Sequence, residues 1–264
     1  MGEYQLDQYT VSLLHFNDGV KDETGRVWTA AGGAGSSTAQ SKFGGESLYL
    51  NGTSQYLTTV NTSDFNFGSG DFTVDWWEYR TSASLGQTIF NRNVSAGTAH
   101  SPFKIGHSEQ TGVINVWMSS NAVNLTYDIA NPKSMGTAIL NQWVHYAVVR
   151  SGNTFFTFQN GILISTWTSS LAIAVLDTAP SIGGNGQYYF GGYIDEFRVS
   201  KGIARWTSDF DPEVPPQNPI GHGLLRVTMN DSSEREYQLS TTEIDGFINW
   251  VKGHISTDSN CYIN

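Results

Sequence analysis

The chain has 264 residues, of which 39% are hydrophobic and 13% aromatic, enough for one large core and a small additional unit. The net charge of -10 argues against a nucleic-acid partner, because phosphate backbones are bound by clustered lysine and arginine. A single cysteine, Cys261, excludes an internal disulfide framework and a thiolate metal cluster.

Short strands are predicted from the start of the chain, because apolar runs are bounded by glycine, asparagine, aspartate or serine. In one run apolar Val74 and Trp76 alternate with polar residues such as Asp75, which predicts a strand buried on one face. These runs are residues 11–16, 47–50, 56–60 and 72–80.

A three-stranded meander is predicted next, over residues 143–150, 154–159 and 162–167. Its second turn is Asn160-Gly161, the dipeptide that favours a tight hairpin. A further alternating strand is predicted over residues 192–200.

The predicted domain organisation is a β domain over residues 1–212, a proline-rich linker over 213–219 and a β-β-α appendage over 220–264. The appendage is predicted to contain a hairpin, 224–229 with 234–239, and a helix that a capping box opens at Ser240. The helix carries an apolar stripe, which we expect to mediate oligomerisation or particle assembly, or alternatively to fold back on its own sandwich. The stripe and the tryptophan beside it are Ile244, Phe247, Ile248, Val251 and Trp250.

Several segments of the β domain resemble laminin-G-like domains of the concanavalin A-like superfamily, in the form common in bacterial and bacteriophage surface proteins. They are Leu14-His15-Phe16-Asn17-Asp18-Gly19, residues 41–52, residues 67–77, residues 143–150 with Asn160-Gly161, and residues 192–200. The resemblance covers roughly residues 8–212 and implies a two-sheet antiparallel jelly roll. It does not fix the function, since this superfamily contains lectins, glycosidases, adhesion domains and structural modules.

The resemblance also implies a calcium site that ties the N-terminal strand to the last one, with Asp18 or Asp22 and Asp195 as ligands. The alternative is that Asp18 and Asp22 shape turns, while Asp195 and Glu196 pair with Arg198. No other cofactor is expected.

No catalytic residues are predicted. Retaining glycosidases of this fold carry paired carboxylates on a Glu-x-Asp-x-x-Glu strand, which this sequence lacks. Asp75 and Glu78 fall on opposite faces of one strand and cannot form such a pair.

Aromatic side chains are the candidate ligand-binding residues, because the apolar face of a sugar ring stacks on them. Burial in the core is the alternative for each. The tyrosine pair is favoured, since it lies in a glycine-containing loop. The candidates are Trp77, Tyr79, Trp117, Tyr188 and Tyr189.

The leading hypothesis is a non-catalytic bacteriophage virion protein, part of a tail, fibre or capsid appendage, that binds a host glycan or another virion protein. The first residues have no basic or apolar signal-peptide regions, and no segment reaches membrane-spanning length. We therefore expect assembly in the host cytoplasm and location on the virion, with no membrane insertion. The alternatives are a module of a secreted bacterial adhesin or carbohydrate-active protein, located at the cell surface, and a structural decoration protein without a ligand.

Overall fold

The computed structural model describes residues 3–60, 63–82, 86–92, 101–108, 112–122, 126–184 and 188–214, and the backbone of 223–228 and 234–239. The chain divides into two compact units, Met1–Pro215 and Pro216–Asn264. In the ranges described, no helix has the length and apolar character needed to span a bilayer.

The described part of the chain is built almost entirely from strands, with one short 3-10 helix at Ser63–Phe65. The strands are β1 (Thr10–Leu14), β2 (Trp28–Ala31), β3 (Gly35–Ser37), β4 (Ser47–Asn51), β5 (Tyr56–Thr59), β6 (Phe72–Arg80), β7 (Thr88–Arg92), β8 (Phe103–His107), β9 (Val113–Met118), β10 (Ala130–Thr137), β11 (Trp143–Ser151), β12 (Thr154–Gln159), β13 (Ile162–Thr168), β14 (Ser181–Ile182), β15 (Gly191–Lys201), β16 (Gly223–Thr228) and β17 (Glu234–Leu239).

Two antiparallel sheets form the first unit. The first sheet has the strand order β13-β12-β11-β6-β15-β4-β3, with β1 also paired to β15. The second sheet has the order β10-β9-β8-β7-β14-β5-β2. The predicted mainly β fold with two antiparallel sheets is therefore confirmed, and so is the meander of β11, β12 and β13.

One apolar core lies between the two sheets. It combines residues of the first sheet, such as Val74 and Trp76, with residues of the second sheet, such as Ile105 and Val116. Aromatic rings fill much of this space, and Trp76 stacks on Tyr146 with ring centres 5.6 Å apart. Burial of this much apolar area is the main stabilising contribution in a chain without a disulfide framework.

The other face of the first sheet is also largely covered, so the prediction that the strand at 72–80 is buried on one face only was wrong. Thr73 and Asp75 are fully buried on that face. The Thr73 hydroxyl donates to the carbonyl of Ile203, and Asp75 binds Arg198. Polar residues that indicated a solvated face instead bind segments from elsewhere in the chain.

In the second unit, β16 and β17 pair antiparallel from Gly223↔Leu239 to Thr228↔Glu234. This is the predicted hairpin, shifted by one residue in its first strand. The predicted helix from Ser240 and its apolar stripe lie outside the described residues.

Candidate functional site

Two aromatic rings flank one lysine on the second sheet. Lys104 of β8 pairs in register with Trp117 of β9, so both side chains project from the same face. The Lys104 Nζ atom lies 5.1 Å from the centre of the Trp117 ring and 5.0 Å from that of Tyr188, both within cation–π range. Trp117 is partly exposed and Tyr188 is 39% exposed. We call Lys104, Trp117 and Tyr188 the lysine–aromatic cluster.

The backbone around Tyr188 sets where its ring lies. Tyr188 adopts a positive φ of 56°, and its carbonyl accepts a hydrogen bond from the Thr88 amide at 2.8 Å. Tyr189 contacts Tyr56 of β5 instead, with ring centres 6.2 Å apart. The two adjacent tyrosines therefore contact different strands, and of the pair only Tyr188 joins the lysine–aromatic cluster.

Polar side chains continue the register of Lys104 across the second sheet. Lys104 pairs with Asn91 of β7, which pairs with Ser181 of β14, which pairs with Thr58 of β5. The Ser181 hydroxyl donates to the Asn91 side-chain oxygen at 2.6 Å. Asn91 and Ser181 are buried, so this hydrogen bond links neighbouring strands beneath the surface and does not face a ligand.

Trp77 is covered, which corrects the prediction that it belongs to an open ligand-binding face. It is 2% exposed, and its ring meets those of Phe43 and His145 edge to face. Lys42 Nζ lies 4.0 Å from the centre of the Trp77 ring. Two residues further along β6, Tyr79 is partly exposed.

Asp22 holds the N-terminal strand in place through hydrogen bonds. Its two carboxylate oxygens accept from the Ser12 hydroxyl at 2.6 Å, the Leu13 amide at 3.2 Å and the Trp28 indole nitrogen at 3.0 Å. They also accept from the amide and hydroxyl of Thr24. The carboxylate is therefore surrounded by hydrogen-bond donors, in keeping with a turn-forming role.

Asp195 lies at a bulge in β15 and anchors the segment before β4. Its Oδ2 accepts hydrogen bonds from the amides of Lys42 at 2.7 Å and Phe43 at 3.1 Å. Burial raises the pKa of Asp195 to about 7, although these amide contacts oppose the shift. Asp195 does not pair with Arg198, because the Arg198 guanidinium binds Asp75.

Asp18 is exposed and lines a cavity of about 410 Å³ with His15 and Lys21. Next to the cavity, His15 Nδ1 lies 2.7 Å from Oε1 of the buried Glu196. Burial lowers the pKa of His15, but the hydrogen bond and charge of Glu196 outweigh it and leave that pKa above its ordinary value.

Asp18, Asp22 and Asp195 thus have separate surroundings. Within the described ranges no three His, Cys, Asp or Glu side chains meet in a way that could hold a metal ion. Oxygen ligands are what calcium requires, whereas Asp22 and Asp195 face N–H and O–H donors, so this arrangement does not fit a shared calcium site. Calcium binding stays a prediction, and a comparison of melting temperature in chelator and in millimolar calcium is its direct test.

The acids considered for catalysis face opposite sides of the first sheet, as the alternation of β6 predicted. Asp75 binds Arg198 on the outer face, whereas Glu78 binds Arg80 on the core side. Glu78 also accepts from the Trp76 indole at 3.1 Å. Each carboxylate is buried and held by an arginine, an arrangement that keeps a charge stable within a fold.

Sequence reasoning missed Lys104, which separates the two rings of the lysine–aromatic cluster. Its own strand, β8, was not predicted, and nothing in one sequence shows that Lys104 pairs with Trp117. The missed signal is register, because strand pairing decides which side chains become neighbours.

Two antiparallel sheets around one apolar core, with partly exposed aromatic residues on the second sheet, define a lectin-like jelly-roll sandwich. The family model that matches residues 51–205 is Laminin_G_3, described as the concanavalin A-like lectin/glucanases superfamily. The chain belongs to this superfamily. A search of curated protein sequences returns no match.

Solved structures share this fold at low sequence identity. Domain 4 of AbnA, a GH43 extracellular arabinanase from Geobacillus stearothermophilus, in complex with arabinotriose, matches with a TM-score of 0.55 and 17% identity, over 74% of this chain and 94% of that one. The binding domain of Paraclostridial Mosquitocidal Protein 1 matches with a TM-score of 0.53 and 15% identity, over 78% of this chain and 51% of that one. The binding domain of Botulinum Neurotoxin DC in complex with SialylT matches with a TM-score of 0.53 and 13% identity, over 78% of this chain and 50% of that one. This chain therefore spans about half the length of those two binding domains.

Proposed function

We propose that the protein is a non-catalytic recognition module that binds a surface glycan through the lysine–aromatic cluster. The observation that carries the proposal is the position of Lys104 between the rings of Trp117 and Tyr188 on one face of the second sheet. The rings offer stacking surfaces for sugars, and the ammonium group places a positive charge beside them. Fold neighbours solved with arabinotriose and with SialylT support a carbohydrate ligand.

A glycan array with the purified protein tests this proposal. We expect binding to at least one glycan class, and a loss of ten-fold or more in affinity for Tyr188→Ala and for Trp117→Ala. Tyr56→Ala is the matched control, because Tyr56 is also a partly exposed tyrosine of the second sheet but lies outside the cluster. A blank array, or equal binding by all three variants, would contradict the proposal.

The finer part of the proposal places this module on a bacteriophage particle, as a tail, fibre or capsid appendage. Its support is the combination of a lectin-like sandwich with a sequence that contains one cysteine and so has no internal disulfide. Immunogold imaging with an antibody to the purified chain is the test: label on virions supports this location, and label on bacterial cell surfaces supports the adhesin alternative.

The second candidate is a module of a secreted bacterial adhesin or carbohydrate-active protein. It is favoured by the likeness to an arabinanase domain, which covers 94% of that domain. Incubation of the protein with polysaccharides, with new reducing ends as the readout, tests whether the module is catalytic. Release of reducing ends would overturn the non-catalytic part of the proposal.

A further inference from the structure

A row of four aromatic side chains crosses the first sheet, on the opposite sheet from the lysine–aromatic cluster. Trp143 of β11 pairs in register with Tyr79 of β6, Tyr79 with Tyr193 of β15, and Tyr193 with Tyr49 of β4. Directly paired residues project from the same face, so the four rings form one line across the strands. We call these four residues the aromatic row.

Ring distances agree with this register. The ring centres are 5.7 Å apart for Tyr79 and Trp143, 6.1 Å for Tyr79 and Tyr193, and 5.2 Å for Tyr49 and Tyr193. These spacings follow from the separation of neighbouring strands, roughly 5 Å. The row therefore offers one ring per strand along a line, at intervals close to the length of one sugar unit. Neighbouring ring planes are inclined by 61°, 78° and 46°, so a sugar chain along the row would meet both faces and edges of the rings.

The row has solvent access. Tyr49 is 39% exposed, and the other three rings are partly exposed. On one flank, two residues back along β6, Lys42 and Phe43 cover Trp77. Trp143 of the row packs against the cluster that contains Trp77, so the covered part of this face directly adjoins the row.

The other flank of the row carries no charge among the described residues, and Gly191 on this flank is buried beside Ser82 and Gly52. Thr81, Gly191 and Asn51 occupy the equivalent positions two residues beyond the row, and Gly191 contributes no side chain. At the end of the row, Tyr49 pairs with Gly35 of the edge strand β3, and a Cβ added at Gly35 would contact nothing within 4 Å. A long ligand could therefore continue past this end.

Cross-strand aromatic pairs stabilise a sheet by about 0.2–1 kcal/mol each. This stabilisation explains why aromatic residues are paired across the strands. It does not explain why their rings are partly exposed to solvent. Addition of a peptide strand cannot occupy the row, because β11, β6, β15 and β4 already have strand neighbours on both sides. The occupant must instead use ring faces and phenol hydroxyls, which suits sugar rings.

We infer that the aromatic row is a second binding surface, which takes a neutral, linear oligosaccharide laid across the strands. The row and the flank at Thr81 and Asn51 carry hydroxyl, indole and amide groups and no ionised side chain. On the other flank the Lys42 ammonium group is paired with the Glu213 carboxylate, so its charge is already balanced and does not favour an anionic sugar. This surface differs from the lysine–aromatic cluster in residues, sheet and charge. It thus goes beyond the function proposed above, and either surface can fail without the other.

Affinity gel electrophoresis and isothermal titration with the full chain test the inference. The probes are neutral glucan, mannan, galactan, xylan and arabinan, as polymers and as oligosaccharides of two to six units, with polygalacturonate as the anionic comparison. We expect at least one neutral series to bind, with affinity that rises with length to about four units and then levels off, because the row has four rings.

Tyr193→Ala removes a central ring and should weaken this binding about ten-fold or more. Tyr49→Ala removes the most exposed ring and is the variant least able to disturb folding, so it keeps the test valid if Tyr193→Ala unfolds. Tyr193→Phe retains the ring and should retain most of the affinity. Tyr56→Ala controls for loss of a partly exposed tyrosine, and Trp117→Ala with Tyr188→Ala reports on the other surface.

Loss of neutral-glycan binding in the two row variants, with normal binding in Tyr56→Ala and in the cluster variants, supports the inference. It is overturned if no neutral chain binds, if folded Tyr49→Ala and Tyr193→Ala bind like the wild type, or if the cluster variants alone abolish binding. In that last case the proposed function stands and the second surface does not exist.

Discussion

The guanidinium group of Arg198 lies between the Asp75 carboxylate and the Tyr4 ring, and all three side chains are buried. Arg198 donates to both oxygens of Asp75, at 3.0 and 2.8 Å, and its Cζ atom lies 4.0 Å from the centre of the Tyr4 ring. Burial raises the pKa of Asp75, but the charge of Arg198 outweighs this and holds that pKa below its ordinary value. Through its contacts with Asp75 and Tyr4, Arg198 of β15 therefore holds β6 and the N-terminal segment in place.

Asp75→Asn should lower the free energy of unfolding by about 3 kcal/mol, because it leaves the buried Arg198 charge without its counter-ion. Urea denaturation at neutral pH measures the change. The control is Lys21→Gln, which breaks an exposed pair with Glu23 and should leave the midpoint unchanged. Similar midpoints for the two variants would show that the buried pair contributes little.

Asp195 gives the protein a pH dependence of opposite sign to an ordinary ion-paired aspartate. Its pKa is raised from 3.8 to about 7, so in the folded state it holds a proton that the unfolded chain has already lost above about pH 4. Its contribution to stability should therefore fall as the pH rises from about 4 to about 7. Asp195→Asn removes this titration, and unfolding free energies of wild type and variant at pH 5 and pH 7.5 measure it. If wild type and Asp195→Asn differ in unfolding free energy by the same amount at pH 5 and at pH 7.5, the raised pKa of Asp195 is contradicted.

At the scale of elements, the turn between β12 and β13 also positions the segment that follows β15. Gly161 has a φ of 76°, and its carbonyl accepts a hydrogen bond from the Phe210 amide at 2.9 Å. A Cβ added at Gly161 would collide with the Phe210 carbonyl oxygen. Phe210 in turn stacks on Trp206, and both rings cover His145. The hairpin and the covering segment are thus one packed structure.

Gly161→Ala should therefore lower the melting temperature and increase hydrogen exchange at the Phe210 amide, because the new methyl group displaces that segment. Gly152→Ala is a matched control in the preceding turn, where φ is also positive but no atom lies within 4 Å of the added Cβ. Gly152→Ala therefore introduces the strain of a positive φ without a steric contact between the new methyl group and another residue. Equal effects of the two substitutions on Phe210 exchange would refute the role of the contact.

At the scale of the whole molecule, the core between the two sheets lies entirely within the unit Met1–Pro215. A chain that ends at Asn218 should consequently keep its strand content and a cooperative melt. If the appendage is an assembly element, the shortened chain should be monomeric where the full chain forms oligomers. Circular dichroism and light scattering measure the two properties, and unfolding or aggregation of the shortened chain would show that the appendage belongs to the core.

Local sequence patterns were sufficient for most strands of the first sheet, although the short edge strand β3 was not predicted. The alternation in β6, β11 and β15 and the Asn160-Gly161 turn each specify a strand or hairpin from neighbouring residues alone, and the observed bounds agree to within about a residue. Much of the second sheet was not predicted. Strands such as β8 and β10 have mixed polar sequences, and β10 includes Pro132, which is tolerated because β10 lies at the edge of its sheet.

The sequence by itself determined the fold class, because strand periodicity and turn chemistry are local properties of the chain. It also determined the pool of aromatic residues from which a binding surface could be built. Only the tertiary structure decided which of them are exposed: Trp77 is covered by Lys42 and Phe43, whereas Tyr79 joins a line of rings from four strands. The physical reason is that exposure and alignment depend on strand register and on segments distant in sequence, and neither is encoded in any short stretch of residues.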